Sequence, residues 1–159
     1  MLQTAQTVSA TARHEASTLS FVTFEVAGQL FGVPVMKVQD ILTPDAIAPV
    51  PGGPAEVRGL INLRGRIVTV IDLRSRLGIR QEAASREGMC VTVENEGESY
   101  TLFVDGVGDV VTLQSDARED SPTTLDPLWK DLSDGVFRVN NRLLVILDVG
   151  RLLAIRSKQ

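Results

Sequence analysis

The chain repeats itself. Moved along by 69 positions, Val22-Thr23 falls on Val91-Thr92, Glu25 on Glu94, Gly28 on Gly97, Val35 on Val104, Val38 on Val107 and Asp40 on Asp109. Further on the offset becomes 76: Gly59 falls on Gly135, Arg66 on Arg142, Asp72 on Asp148, Leu77 on Leu153 and Ile79 on Ile155. The change of offset places seven extra residues in the second copy, in the loop before Gly135. A duplication constrains a fold tightly, because both copies must form the same unit and stacked units must bury their apolar faces together.

Each copy reads as hairpin, connector, hairpin and capped helix. In the first copy, Phe21, Thr23 and Glu25 alternate with Val22, Phe24 and Val26 before a turn at Ala27-Gly28 and the run Leu30 to Val33. Met36 to Leu42 fits one or two helical turns, or a bent strand. Five breakers between Pro49 and Pro54 mark a loop. Gly59 to Ile71 predicts strand, turn at Arg64-Gly65, strand. Asp72 then stands at a helix N-cap position, and Gly78 at the C-terminal end. The second copy predicts strands over 89–94 and 99–104, a long loop over 114–134, and a hairpin turning at Asn140-Asn141. A final helix runs from its Asp148 cap through Ile155. A unit of ~65 residues with four or five short strands favours a small barrel, because closure removes exposed sheet edges. Two barrels side by side leave a groove between them.

The duplication sorts architecture from function. Positions alike in both copies, such as Gly28 and Gly97 or Asp72 and Asp148, are read as turn and cap. Positions that differ are free to carry function. Asn62-Leu63-Arg64-Gly65 stands where the second copy has Arg138-Val139-Asn140-Asn141, so Arg64 sits at a hairpin tip with no need to pack. Arginine in such a place is either a solvated turn residue or an interface anchor.

Several chemistries are excluded. The single histidine, His14, lies in a polar N-terminal stretch, so a histidine metal site or a histidine-based triad is not expected. The chain has no phosphate-binding glycine loop, no dinucleotide fingerprint and no nucleophile elbow. Cys90, the only cysteine, sits in an apolar strand and reads as a buried structural thiol. The longest aliphatic run, Leu143 to Leu147, is far short of the ~20 residues a membrane span needs, and no secretory signal is visible. Seven arginines between Arg58 and Arg86 face only Asp72 and Glu82, whereas Glu94 to Asp134 holds eleven acidic residues against Arg118 and Lys130. The basic stretch lacks lysine and aromatics and the net charge is −4, so nucleic acid is not an expected partner. The asymmetry suggests two unlike faces. What remains is a binding module with no catalytic centre and no cofactor.

Gly59 to Gly65 (GLINLRG), with Val70-Ile71-Asp72-Leu73-Arg74 behind it, resembles the CheW family of bacterial chemotaxis coupling proteins. Phe31 to Val35, Val38-Gln39-Asp40-Ile41 and Val104 to Val107 are similar to the same family, so the resemblance covers about residues 19–156. It implies an all-β fold with short helices: two SH3-like, five-stranded β-barrel subdomains and a C-terminal helix. The expected organisation is a disordered tail over 1–18, a first subdomain over about 19–80 completed by the C-terminal helix at 149–156, a second over about 89–148, and a short tail at 157–159. The resemblance also implies a cytoplasmic adaptor, recruited to arrays at the inner face of the membrane without inserting into it. Its partners would be the regulatory domain of the histidine kinase CheA and the cytoplasmic tips of chemoreceptors. A coupling protein of a non-flagellar chemosensory pathway, serving pilus motility or gene regulation, is the alternative. The family's partner-binding positions fall on Val38, Asp40, Gly59 and Arg64. Asp40 replaces the glutamate common in the family, shortening the reach of an acidic partner for Arg64 by one methylene. Gly59 carries two open readings, since its match with Gly135 also fits a structural role.

Overall fold

A computed structural model describes residues 17–44, 46–79 and 87–155. Among them are ten strands: β1 (Thr18–Val26), β2 (Gln29–Pro34), β3 (Val38–Leu42), β4 (Val57–Leu63), β5 (Arg66–Asp72), β6 (Met89–Asn95), β7 (Glu98–Val104), β8 (Gly106–Gln114), β9 (Ser133–Val139) and β10 (Arg142–Leu147). The helices are short: α1 (Leu73–Arg76), α2 (Pro127–Leu132) and α3 (Val149–Leu152), with 3-10 turns at Val35–Lys37 and Ser115–Ala117. The tail expected over 1–18 lies outside the described residues except for its last two, and Thr18 already begins β1. The tail at 157–159 also lies outside them.

The strands form two five-stranded sheets, ordered β8-β1-β2-β10-β9 and β3-β6-β7-β5-β4. This corrects the division at about residues 80 and 89, because neither copy builds a sheet alone. The β1–β2 hairpin of the first copy is completed by β8, β9 and β10 of the second, and the β6–β7 hairpin by β3, β4 and β5 of the first. The joins are parallel: Val145 lies opposite Phe31, and Thr69 opposite Tyr100. These two pairs coincide under the offsets of 69 and 76, so the sheets share one register. At the first crossing Pro34 (φ −58°, ψ 136°) ends β2 in an extended conformation, and the chain runs on through one 3-10 turn into the other sheet. At the equivalent point of the second copy the single residue Asp105 joins β7 to β8.

One buried cluster spans both sheets. Val22, Phe24, Val26, Phe31 and Val33 from one pack with Val91, Val93, Leu102 and Val104 from the other, and Leu73, Leu77 and Leu152 of the helical segments close it. The alternation along β1 and β2 sends these side chains inward. Both expected caps are present: Asp72 Oδ1 accepts from Arg74 N–H at 3.0 Å and Asp148 Oδ1 from Arg151 N–H at 3.0 Å.

The outer edges β4 and β9 are each covered by a strap making an isolated bridge, Ala48 with Leu60 and Glu119 with Val136. Leu60 and Val136 are equivalent under the offset of 76. The stretch 114–134, expected as loop throughout, contains α2. Pro127 does not break it. Proline at the first helical position has no N–H to waste, and Asp126 caps the helix by accepting from Leu128 N–H at 2.8 Å. Trp129 of this helix donates its indole N–H to Leu77 O at 2.8 Å and meets Phe31 edge-on at 5.2 Å. The final helix is shorter than expected, ending at Leu152.

Candidate functional site

All four hairpins turn through two residues of positive φ: Ala27-Gly28 (52°, 82°), Arg64-Gly65 (55°, 85°), Glu96-Gly97 (52°, 83°) and Asn140-Asn141 (51°, 64°). Such turns match the right-handed twist of the strands and favour asparagine or glycine. Arg64 is therefore an unusual occupant. Asn62 Oδ1 accepts from Gly65 N–H at 2.9 Å and holds the turn.

The Arg64 side chain is 76% exposed and reaches Asp40, Nη2 to Oδ2 at 2.9 Å. Asp40 lies on β3, and Arg64 ends the hairpin that contains β4. β3 and β4 are the two outer strands of their sheet, so the sheet curls and this ion pair spans the seam between its edges. Asp40 Oδ1 also accepts from Ile41 N–H at 2.9 Å, which fixes the carboxylate. A groove of about 210 Å³ lies at the seam, bordered by Gln39, Asp40, Leu63, Arg64 and Ser99. The shorter aspartate still makes the contact. At this exposure the pair contributes ~0–1 kcal/mol to stability, so its value lies in orientation.

The other two expected positions are placed differently. Val38 begins β3 opposite Val93 and packs half-buried against the main core, two residues before Asp40. Gly59 is buried beneath the strap. A Cβ there would meet Ala48 O at 2.3 Å and Ile47 Cγ2 at 2.7 Å, and its φ is +153°. The close approach of the strap requires glycine, so Gly59 does not share the open surface of Asp40 and Arg64.

The second sheet has the equivalent seam, a groove of about 290 Å³ that includes Asp109, Asn140 and Arg142. There Asp109 stands for Asp40 and Asn140 for Arg64, so the seam ion pair is not repeated. Arg142 instead pairs with Glu25 at 3.0 Å. The basic and acidic stretches meet at one end of the sheet that holds Arg64. β5 and β7 are parallel, so the Arg64-Gly65 and Glu96-Gly97 turns sit at the same end of one sheet. Arg66 and Glu98 there border one groove. Beside them Tyr100 donates to Glu98 Oε1 at 2.8 Å, and this hydrogen bond raises the phenol's pKa.

A larger cavity, about 510 Å³, opens at the opposite end of β4 between Ile47, Arg58 and Phe103. Arg58 is committed there. It stacks 4.1 Å from the Phe103 ring centroid and donates to Asp72 Oδ2 at 3.0 Å. Sequence reasoning missed this cluster. The signal was a difference between copies, since Arg58 stands opposite Asp134 under the same offset. Cys90 is fully buried, as expected, and burial pushes its thiol up to about 11, with Arg58 acting weakly in the other direction. Among the described residues no group of acidic, histidine or cysteine side chains is placed to hold a metal. No helix among them is long and apolar enough to cross a membrane.

The fold is two interleaved five-stranded sheets with an exposed ion pair linking the two edges of one of them. The chain belongs to the CheW family: the CheW-like domain model matches residues 20–157. It is 30% identical over 135 residues to chemotaxis protein CheW of Klebsiella aerogenes, covering 84% of this chain and 81% of that one. Chemotaxis protein CheW of Bacillus subtilis is 28% identical over 138 residues, covering 87% and 88%. Among solved structures, the scaffolding protein TtCheW from Thermoanaerobacter tengcongensis superposes with a TM-score of 0.77 at 29% identity, covering 89% and 91%. The chain is a chemotaxis adaptor of this family, whose members are non-catalytic scaffolds.

Proposed function

We propose that this adaptor couples the cytoplasmic tips of chemoreceptors to the regulatory domain of the histidine kinase CheA, and that the Asp40–Arg64 seam is part of the coupling surface. The observation that carries the reading is the seam itself. An arginine occupies a turn position better suited to asparagine, stays 76% exposed, and is aimed by an aspartate on the facing edge strand. Stability does not explain the choice, because the equivalent turn in the second copy makes do with Asn140-Asn141. An exposed guanidinium held at a fixed angle serves recognition of a partner's carboxylate or carbonyl groups. Val38 supports the base of the same strand, and Gly59 acts by letting the strap seat against β4. The protein works in the cytoplasm, beneath the receptor array.

The test is calorimetric titration of the full chain with the CheA regulatory domain of its own organism. Binding is expected, and it weakens as salt rises. Absence of binding at every ionic strength overturns the reading. Binding only to the kinase of a separate, non-flagellar chemosensory system moves the protein to that pathway.

A further inference from the structure

The duplication makes two-fold likeness the baseline, so a departure from it is informative. The chain crosses between sheets twice, at Val35–Lys37 and at Asp105, and the offset of 69 places Met36 opposite Asp105. The two crossovers are built differently. At the first, Met36 is 94% exposed and the 3-10 turn buries no residue. At the second, the Asp105 carboxylate accepts from Arg74 Nε on Oδ1 at 3.1 Å, from Arg74 Nη2 on Oδ2 at 2.7 Å, and from Ala27 N–H on Oδ2 at 2.7 Å. Its own N–H donates to Glu25 O at 3.0 Å.

These partners come from the two sides of the crossover. Arg74 belongs to α1, directly after β5, whereas Ala27 and Glu25 belong to the β1–β2 hairpin of the other sheet. The residue equivalent to Arg74 is Gly150, which has no side chain, so the contact has no counterpart at the other crossover. The pair is shielded, with side chains 17% and 23% exposed. The network continues to the second seam, because Arg142 donates to Gly28 O at 3.2 Å and to Glu25 Oε2 at 3.0 Å.

We propose that Arg74 and Asp105 form a clasp that sets the angle between the two sheets, and with it the spacing of the two seams. The apolar core between the sheets cannot do this alone. Hydrophobic attraction is non-directional, and packed layers shear past one another by small slides. A bidentate guanidinium–carboxylate pair fixes two N–H···O directions at once. Placed at the one-residue crossover, it converts a sliding contact into a fixed one.

The test measures the angle through a distance. Nitroxide labels are attached at Ile67→Cys on one sheet and Val110→Cys on the other, both exposed in the parent at 65% and 59%. The native Cys90 is fully buried and stays unlabelled. Pulsed dipolar spectroscopy on the labelled full chain is expected to give one narrow distribution. Asp105→Asn is expected to broaden it and shift its mean, and Arg74→Lys, which keeps the charge but loses the fork, to broaden it too. A loss of thermal stability in these variants with an unchanged distribution overturns the proposal and leaves the pair merely stabilising. If Asp105→Asn does not fold, Arg74→Lys and Arg74→Gln decide the matter, because Gly150 shows that α1's counterpart forms with no side chain at that position.

Discussion

Arg64 and Asp40 touch at 2.9 Å and so link the two edges of one five-stranded sheet. The contact joins a turn residue to an edge-strand residue 24 positions earlier in the chain. The equivalent seam of the other sheet offers Asp109 and Asn140 instead, and its arginine, Arg142, pairs with Glu25.

Replacing Arg64 with asparagine separates recognition from folding. Asparagine suits the left-handed turn, as Asn140 demonstrates. Thermal denaturation of Arg64→Asn is therefore expected to show a change within ~1 kcal/mol, whereas affinity for the CheA regulatory domain falls at least about tenfold, the loss of one charged anchor. A double-mutant cycle with Asp40→Asn is expected to show coupling in binding. Additive losses there would remove Asp40 from the site.

Gly59→Asp is expected to act on the fold. The new side chain would begin 2.3 Å from Ala48 O, forcing the strap off β4. Urea denaturation should show a loss of more than about 3 kcal/mol. Gly65→Ala is the control: nothing lies within 4 Å of its Cβ position, so only the positive φ is strained, at about 1 kcal/mol. Equal, small losses for both variants would contradict the buried placement of Gly59.

Asp72 and Asp148 cap equivalent helices but should not be equally costly to lose. Asp148→Ala removes a cap, worth about 1 kcal/mol. Asp72→Ala also strands Arg58, which donates to it at 3.0 Å and is itself 24% exposed, adding about 1–3 kcal/mol to the loss. Asp72→Asn keeps the cap and isolates the second effect. Chemical denaturation of the three variants checks the order.

Cys90 makes stability depend on alkaline pH. Its folded pKa is raised from 9.0 to about 11 by burial. Below pH 9 the thiol holds its proton in both states. Between 9 and 11 the unfolded chain releases it while the folded chain does not, so stability falls as pH rises through that window. The fall should be shallower in Cys90→Ala. A thiol reagent at pH 8 should react only after unfolding, and rapid reaction with the native protein would show that the thiol is accessible.

What the sequence made legible was local. Turn residues such as Arg64-Gly65 and Asn140-Asn141, and caps such as Asp72, depend on neighbours within a few positions, and each could be read directly. Arg64 was legible as a surface residue because its counterpart is asparagine. The exchange of strands was not, because a repeat shows that two units are alike without showing which copy supplies Val145 to Phe31. The helix at Pro127 was hidden because proline reads as a breaker unless the preceding Asp126 is weighed as its cap. Gly59 stayed ambiguous because the residue that forbids a side chain there, Ala48, sits in a strap with no repeating pattern.

The interleaving also governs how the protein can be made. When the ribosome has finished β5, the β1–β2 hairpin still lacks every other strand of its sheet, and β10, its parallel neighbour, emerges near the end of synthesis. Neither sheet is complete on a nascent chain until strands from both copies are out. Pairings so distant in sequence make for slow, concerted folding, and a half-made chain exposes open strand edges. Those same edges should let two fragments, cut between residues 80 and 86, find each other and rebuild the whole, although neither half can complete a sheet alone.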